Sequence, residues 1–321
     1  METTWRWVAV TAIAPIAWGS TYWVTREFLP PDAPLWGSVL RALPAGLLLL
    51  ALRPRRPRGA WWWRAAVLGA LNVGVFFALV YLVAQLLPTS LASTIMATSP
   101  AAMMLLAWLF AGERLRLVPL VGAGLGIAGV AIMLAGDGVA AAPLGIAASV
   151  LAMLLSSLGY ILAKRWREGT DVLSITSWQL LAGGLLLLPA ALVVEGTPPP
   201  MDGRSLAAFA YVSVIATAVA FAAWFVGLSR LPAGTVGLIG LLNPVTGVLL
   251  GVLVAGERLG GWQLAGLAVV LVGILLGQPV AQRSIARVRE RIGRRAHADA
   301  ADPRLARGRR TEVRAPLPAD C

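Results

Sequence analysis

Arg41 is the one ionisable side chain set in the middle of a long apolar run, with Leu40, Ala42 and Leu43 around it and Leu47 to Leu50 beyond. A charge at the centre of a bilayer costs on the order of 3 kcal/mol or more, so such a residue belongs in a bundle interior or a wet cavity. Two roles suit it: a cation that meets a substrate carboxylate or phosphate, or a structural arginine bonded to carbonyls or to a side chain such as Gln179. Much of the usual chemical repertoire is missing. His297 is the only histidine and Cys321 the only cysteine, both in an arginine-rich terminal segment. No internal disulfide framework or cysteine metal cluster can be assembled from them. The close acidic pair Glu168 and Asp171 has no second pair and no histidine nearby, which falls short of an acid–base or metal-dependent site. No catalytic residue, metal ligand or cofactor is therefore assigned, and the chain reads as a non-enzyme. The string from Gly124 to Gly129 fits the dinucleotide fingerprint in letters only. It lies inside an apolar stretch with Asp137 too near to be the ribose acid. Small residues at this spacing, including Gly122 and Gly126, suit close helix packing instead.

The elements that must hold Arg41 follow from composition. Of 321 residues, 58% are hydrophobic and 13% charged, against roughly 25% charged in a soluble domain, and the mean hydropathy is +0.78. This excludes two water-facing domains. Spanning hydrocarbon takes about 20 mostly apolar residues, and ten stretches qualify: about 6–24, 33–52, 65–86, 89–110, 116–135, 144–163, 172–194, 205–228, 233–254 and 261–279. The first carries Trp5, Trp7, Trp18 and Trp23 and is read as a transmembrane helix rather than a cleaved signal. Short connections make neighbouring spans antiparallel. With a cytoplasmic N-terminus, 23 of the 27 Lys and Arg residues fall inside, only Arg26, Arg204 and Arg258 fall outside, and Arg41 is within a span. That is a strong positive-inside bias. The basic balance is topological, and no nucleic-acid partner is needed to explain it.

The chain also repeats itself. A shift of 144 residues lays Leu87-Pro88 on Leu231-Pro232, Pro100 on Pro244, and Ala111-Gly112-Glu113-Arg114-Leu115 on the identical Ala255-Gly256-Glu257-Arg258-Leu259. A shift of 138 lays Arg41 on Gln179. Five spans per half is an odd number, so the second copy inserts upside down, an arrangement typical of secondary transporters with a site near the midplane. The expected fold is an all-α membrane protein of ten transmembrane helices in two inverted five-helix repeats. Residues 1–137 form the first, 138–280 the second, and 281–321 a basic cytoplasmic tail.

With the repeat laid out, the chain resembles the EamA-type transporters of the drug/metabolite transporter superfamily. The resemblance is carried by Trp18-Gly19-Ser20, Arg41, Thr98-Ser99-Pro100, Gly112-Glu113-Arg114-Leu115, Asn243-Pro244 and Gly256-Glu257-Arg258-Leu259, and runs over roughly 6–279. It implies a ten-helix carrier with both termini cytoplasmic, in a bacterial inner membrane. Such a carrier works by alternating access on amino acids, other small metabolites or drugs, with efflux the expected direction.

Within that frame Arg41 and Gln179 face the central cavity from the two halves, Arg41 as cation and Gln179 as both donor and acceptor. Trp18, Ser20, Tyr22, Asn72, Tyr81, Tyr160, Trp224 and Asn243 are polar-tipped or aromatic residues at membrane depth. They are read as cavity lining, or as interhelical hydrogen-bonding and packing groups. Pro100 and Pro244 loosen helices four and nine, as hinges or as static kinks. Glu113-Arg114 and Glu257-Arg258 are gate ion pairs or capped helix ends. In the tail, Ile285, Val288 and Ile292 at helical spacing among arginines suit an amphipathic helix on an anionic cytoplasmic leaflet, followed by a disordered end. The expected partners are a small-molecule substrate and membrane lipids, in a monomer or homodimer.

Overall fold

The computed structural model describes residues 2–99, 117–135, 142–231 and 242–277, with 102, 105, 106, 108, 109, 239 and 240 between them. The basic tail, Pro100, Glu113 and Arg114 lie outside the described residues. Among the described residues every regular element is helical and none is a strand. In chain order they are α1 (Glu2–Phe28), α2 (Pro34–Leu52), α3 (Trp61–Leu86), α4 (Thr89–Ala97) and α5 (Leu117–Ala135). Then come α6 (Pro143–Trp166), α7 (Val172–Val194), α8 (Gly203–Ala210 continuing through Tyr211–Val219 to Ala220–Arg230), α9 (Leu242–Leu253) and α10 (Gly261–Gly277). Five of these, α2, α3, α6, α7 and α8, contain stretches long and apolar enough to cross a membrane. Helix α1 has the length, at 27 residues, but its tryptophans and its Thr11, Ser20, Thr21 and Thr25 dilute its apolar content.

The distribution of side chains is that of a bundle solvated by lipid. Large apolar residues point outward, with Val193 85%, Leu253 76% and Leu47 58% exposed, while serines and threonines fill the interior. Those hydroxyls return to the carbonyl one turn back: Thr11 to Trp7 at 2.6 Å, Ser38 to Pro34 at 2.7 Å, Thr94 to Ser90 at 2.6 Å. Much of the interior hydroxyl polarity is thus satisfied within its own helix. Packing is close where glycines meet. A Cβ built at Gly129 of α5 would fall 2.6 Å from the Gly266 carbonyl oxygen of α10, and one at Gly69 of α3 would fall 2.6 Å from the Gly183 amide of α7. A Cβ at Gly273 would strike the Gly122 carbonyl and the Gly126 amide, whereas Gly124 has nothing near it. The glycine string thus serves helix–helix contact.

Helix α2 packs along α7, α5 along α10, and α4 against α9. Helix α1 lies against α8 and α9, and α6 against α3 and α4. The helix starts are closed in two ways. Asp171 and Asp202 cap α7 and α8 from the preceding residue, accepting the Ser174 amide at 3.1 Å and the Ser205 amide at 2.7 Å. Helices α2 and α4 are preceded by Ala33 and Pro88, which carry no capping oxygen. Their exposed amides are met by carboxylates from far along the chain. Glu195 takes the Leu35 and Trp36 amides, each at 2.8 Å, and Glu257 takes the Thr89 amide at 2.6 Å and the Ser90 amide at 3.1 Å.

Candidate functional site

Helix α2 carries Arg41 into the bundle, where it is 9% exposed. Its Nε donates to Thr217 Oγ1 of α8 at 3.0 Å, and its guanidinium carbon stands 4.1 Å from the Phe77 ring centroid of α3. Thr217 donates in turn to the Val212 carbonyl at 2.8 Å, and Ser213 Oγ donates to the Arg41 carbonyl at 3.0 Å. The hydroxyls of Tyr22 from α1 and Tyr160 from α6 lie within electrostatic reach of the guanidinium. Tyr22 is buried, and Tyr160 is 37% exposed. Among the described residues no carboxylate pairs with Arg41. A buried cation held by a neutral hydroxyl and a ring face keeps its attraction for an anion.

Gln179, on α7, is buried as well, and its Oε1 accepts from Asn72 Nδ2 of α3 at 2.9 Å. The Asn72 amide rests on the backbone of Gly159, beside Tyr160, where any Cβ would overlap it. Its Oδ1 is buried with no partner among the described residues. The two repeat-mated residues therefore do not bond each other. Each reaches a polar side chain on a helix of the opposite half, Arg41 to Thr217 and Gln179 to Asn72. Both targets lie where the helix widens to a π-helical stretch, Ala70–Gly74 in α3 and Tyr211–Val219 in α8. Such widenings recur at functional sites because they shift side chains out of the α-helical register.

The remaining expected residues divide. Trp18 stacks on Trp224 at 5.4 Å and meets Phe221 edge-on at 5.5 Å, while Ser20 Oγ lies 2.6 Å from Tyr211 OH. These form an aromatic and hydroxyl wall between α1 and α8. Tyr81 is placed elsewhere: its ring packs under Gly37 and its hydroxyl donates to the Pro30 carbonyl in the α1–α2 link. Asn243 lies at the α1–α9 contact, its carbonyl beside Gly19 and its Oδ1 buried without a partner among the described residues. Pro244 sits in the first turn of α9. Having no N–H, it cannot bond the Gly240 carbonyl, which accepts the Asn243 amide at 3.1 Å instead. A proline is tolerated in the first turn of a helix, where an N–H would have no intrahelical partner. Glu257 does not pair with Arg258: both its oxygens are engaged by the start of α4, including the Ser90 hydroxyl at 2.5 Å. A carboxylate gains more from two backbone amides and a hydroxyl at a helix N-terminus than from an exposed arginine.

Three participants escaped the sequence reading. Thr217 and Phe77 look like ordinary apolar-span residues. Glu195 follows an apolar span and resembles a loop acid. Its one visible signal is the Gly196 behind it, whose φ of +74 turns the chain back towards α2.

The site and its frame define a class: a helical membrane bundle with an interior cation facing a polar and aromatic surface drawn from several helices. The chain belongs to the EamA-like transporter family, whose model matches residues 5–135 and again 143–277, and it is a membrane transporter. It is 34% identical over 269 residues to Protein PecM of Dickeya dadantii, covering 83% of this chain and 90% of that protein. The uncharacterized inner membrane transporter YedA of Escherichia coli K12 is 26% identical, over 81% of this chain and 87% of its own. A probable amino-acid metabolite efflux pump of Salmonella typhimurium is also 26% identical, over 81% and 91%. A protein crystal structure superposes with a TM-score of 0.62 at 20% identity, covering 87% of this chain and 98% of that one, which shows a shared fold.

Proposed function

We propose that the chain is an inner-membrane carrier that exports a small metabolite with an anionic group, an amino acid or a related compound, by alternating access. The observation that carries this reading is Arg41, buried within the bundle and facing Thr217 and Phe77 instead of a carboxylate. The substrate's carboxylate would take the guanidinium's free edge. Asn72, Gln179 and Tyr160 would set its orientation, and the Trp18–Trp224 wall would take its apolar part. The names of PecM's neighbours in the comparison, an inner membrane transporter and an amino-acid metabolite efflux pump, favour the membrane and the direction.

Ten helices in two inverted repeats are the architecture we infer, and the packing supports it. Exchanging the halves turns the α1–α8 contact into α6–α3, the α1–α9 contact into α6–α4 and the Arg41–Thr217 bond into Gln179–Asn72. Rocking one half against the other about such an axis exposes a midplane site to each side in turn.

The test is counterflow of a labelled amino-acid panel in proteoliposomes, comparing the native protein with Arg41→Ala. Counterflow lost in a folded variant supports the site. Unchanged counterflow assigns Arg41 to structure and leaves the carrier. Absence of counterflow by the native protein for every amino acid transfers the proposal to sugars, nucleosides, lipid precursors or drugs.

A further inference from the structure

At the end of the bundle where α1 finishes and α4 and α10 begin, a cleft of about 510 Å³ opens between α1, α4 and the α9–α10 link. Its volume lies within the roughly 300–1,000 Å³ range of small-molecule sites. Arg26, Glu27, Glu257 and Arg258 line it, together with Gln263, which is itself 6% exposed. This end is otherwise poor in positive charge: of the three arginines that the sequence places there, two line this one cleft. Positive-inside placement therefore does not account for them.

The charge inventory of the cleft is set by how the α9–α10 link is built. Gly256, at φ +68, turns the chain sharply after α9. Gly251 has no Cβ, and the space left is occupied by the Glu257 carboxylate. That carboxylate is thereby directed to the amides of Thr89 and Ser90 and is spent on the start of α4. Arg258, the next residue, lines the cleft. Among the described residues no ion pair involves Arg26, Glu27 or Arg258. Arg26, Arg258 and Glu27 are thus left to a ligand, beside the amide-bound Glu257 and against an apolar wall that includes Trp23, Leu91 and Met133.

We propose that this cleft is a second binding site, for a small zwitterion with an apolar side chain. Its carboxylate is taken by Arg26 and Arg258, its ammonium by Glu27, and its side chain by the Trp23–Leu91–Met133 wall. The role of this site as the last stop before release rests on the carrier reading of the central site; the binding itself does not.

The experiment uses the purified full-length protein and tritiated L-leucine in a scintillation proximity assay, competed by N-acetyl-L-leucine and by L-leucinamide. Each competitor removes one charge and keeps the side chain. Unlabelled leucine is expected to compete at least about tenfold more strongly than either, the loss of one charge contact. Arg26→Gln and Arg258→Gln are each expected to weaken binding by about tenfold or more. Glu27→Gln should erase the preference for leucine over N-acetyl-leucine. Absence of saturable leucine binding, competition by either analogue equal to that of leucine, or binding unmoved by the cleft variants would each overturn the site. The analogue series is read on the native protein and so does not depend on any variant folding. Leucine that binds as described but fails to exchange across proteoliposomes would count against the carrier reading alone.

Discussion

Arg41 illustrates how far a single residue can be read from its neighbours in sequence. A charge in the middle of an apolar run must face inward, and that much follows from the cost of solvating it in lipid. Its partner does not follow. Thr217 lies 176 positions away, in a stretch whose threonines and serines are outwardly indistinguishable, and the π-helical widening that presents it leaves no periodic mark. The repeat alignment went further, because it paired Arg41 with Gln179 and so placed both at matching depth. It could not tell that each bonds into the other half instead of across to its mate. A consequence can be measured directly. Thr217→Val keeps shape but removes the acceptor for Arg41 Nε, leaving a buried charged donor unmet. It should destabilise the protein by about 1–3 kcal/mol, read as a lower thermal midpoint in detergent, whereas Thr217→Ser should remain near native.

Elements were legible where composition alone decides them, and illegible where long-range contacts do. The spans of α2, α3, α6, α7 and α8 follow from apolar length, whereas the caps at Asp171 and Asp202, though each is an acidic residue just ahead of a helix, went unread. The caps of α2 and α4 leave no such local sign. Ala33 and Pro88 offer nothing, and the carboxylates that complete these helices come from Glu195 and Glu257 in the second half. Glu257→Ala strips three hydrogen bonds from the start of α4 and should cost about 1–2 kcal/mol, typical of a lost N-cap. A thermal midpoint no lower than native would show that α4 starts without it. Asp202 gives the complementary pH signature. The Ser205 amide bond, followed by its hydroxyl, holds the Asp202 carboxyl below the usual aspartate range. Because the folded value is depressed, its contribution is present above the unfolded value of about 3.9 and lost as pH falls through the folded one. The deficit in thermal midpoint of Asp202→Ala should accordingly stay constant from neutral pH down to about 4 and close below it. A deficit that grows on acidification would contradict the sign.

At the scale of the whole molecule, the packing exchanges under the same operation that aligns the two halves of the sequence. Contacts of α1 with α8 and α9 recur as contacts of α6 with α3 and α4, and α2–α7, α4–α9 and α5–α10 each map onto themselves. The proposed inverted repeat, with the halves antiparallel in the membrane, accommodates this pattern and implies which connections share a side. In that proposal the arginine distribution gives the expected absolute sense: the α7–α8 connection outside, the tail within. The chain offers a direct probe, because Cys321 is its only thiol and lies in that tail. In intact spheroplasts a membrane-impermeant maleimide should leave Cys321 unlabelled until the membrane is permeabilised. Moving the thiol by combining Cys321→Ser with Thr197→Cys places it in the exposed α7–α8 connection, where labelling should proceed without permeabilisation. Labelling of both positions in intact spheroplasts would put an even number of crossings between residues 197 and 321 and undo the five-span second half. Labelling of Cys321 alone would keep the crossings and reverse the orientation, and the cleft lined by Arg26 and Arg258 would then face the cytoplasm.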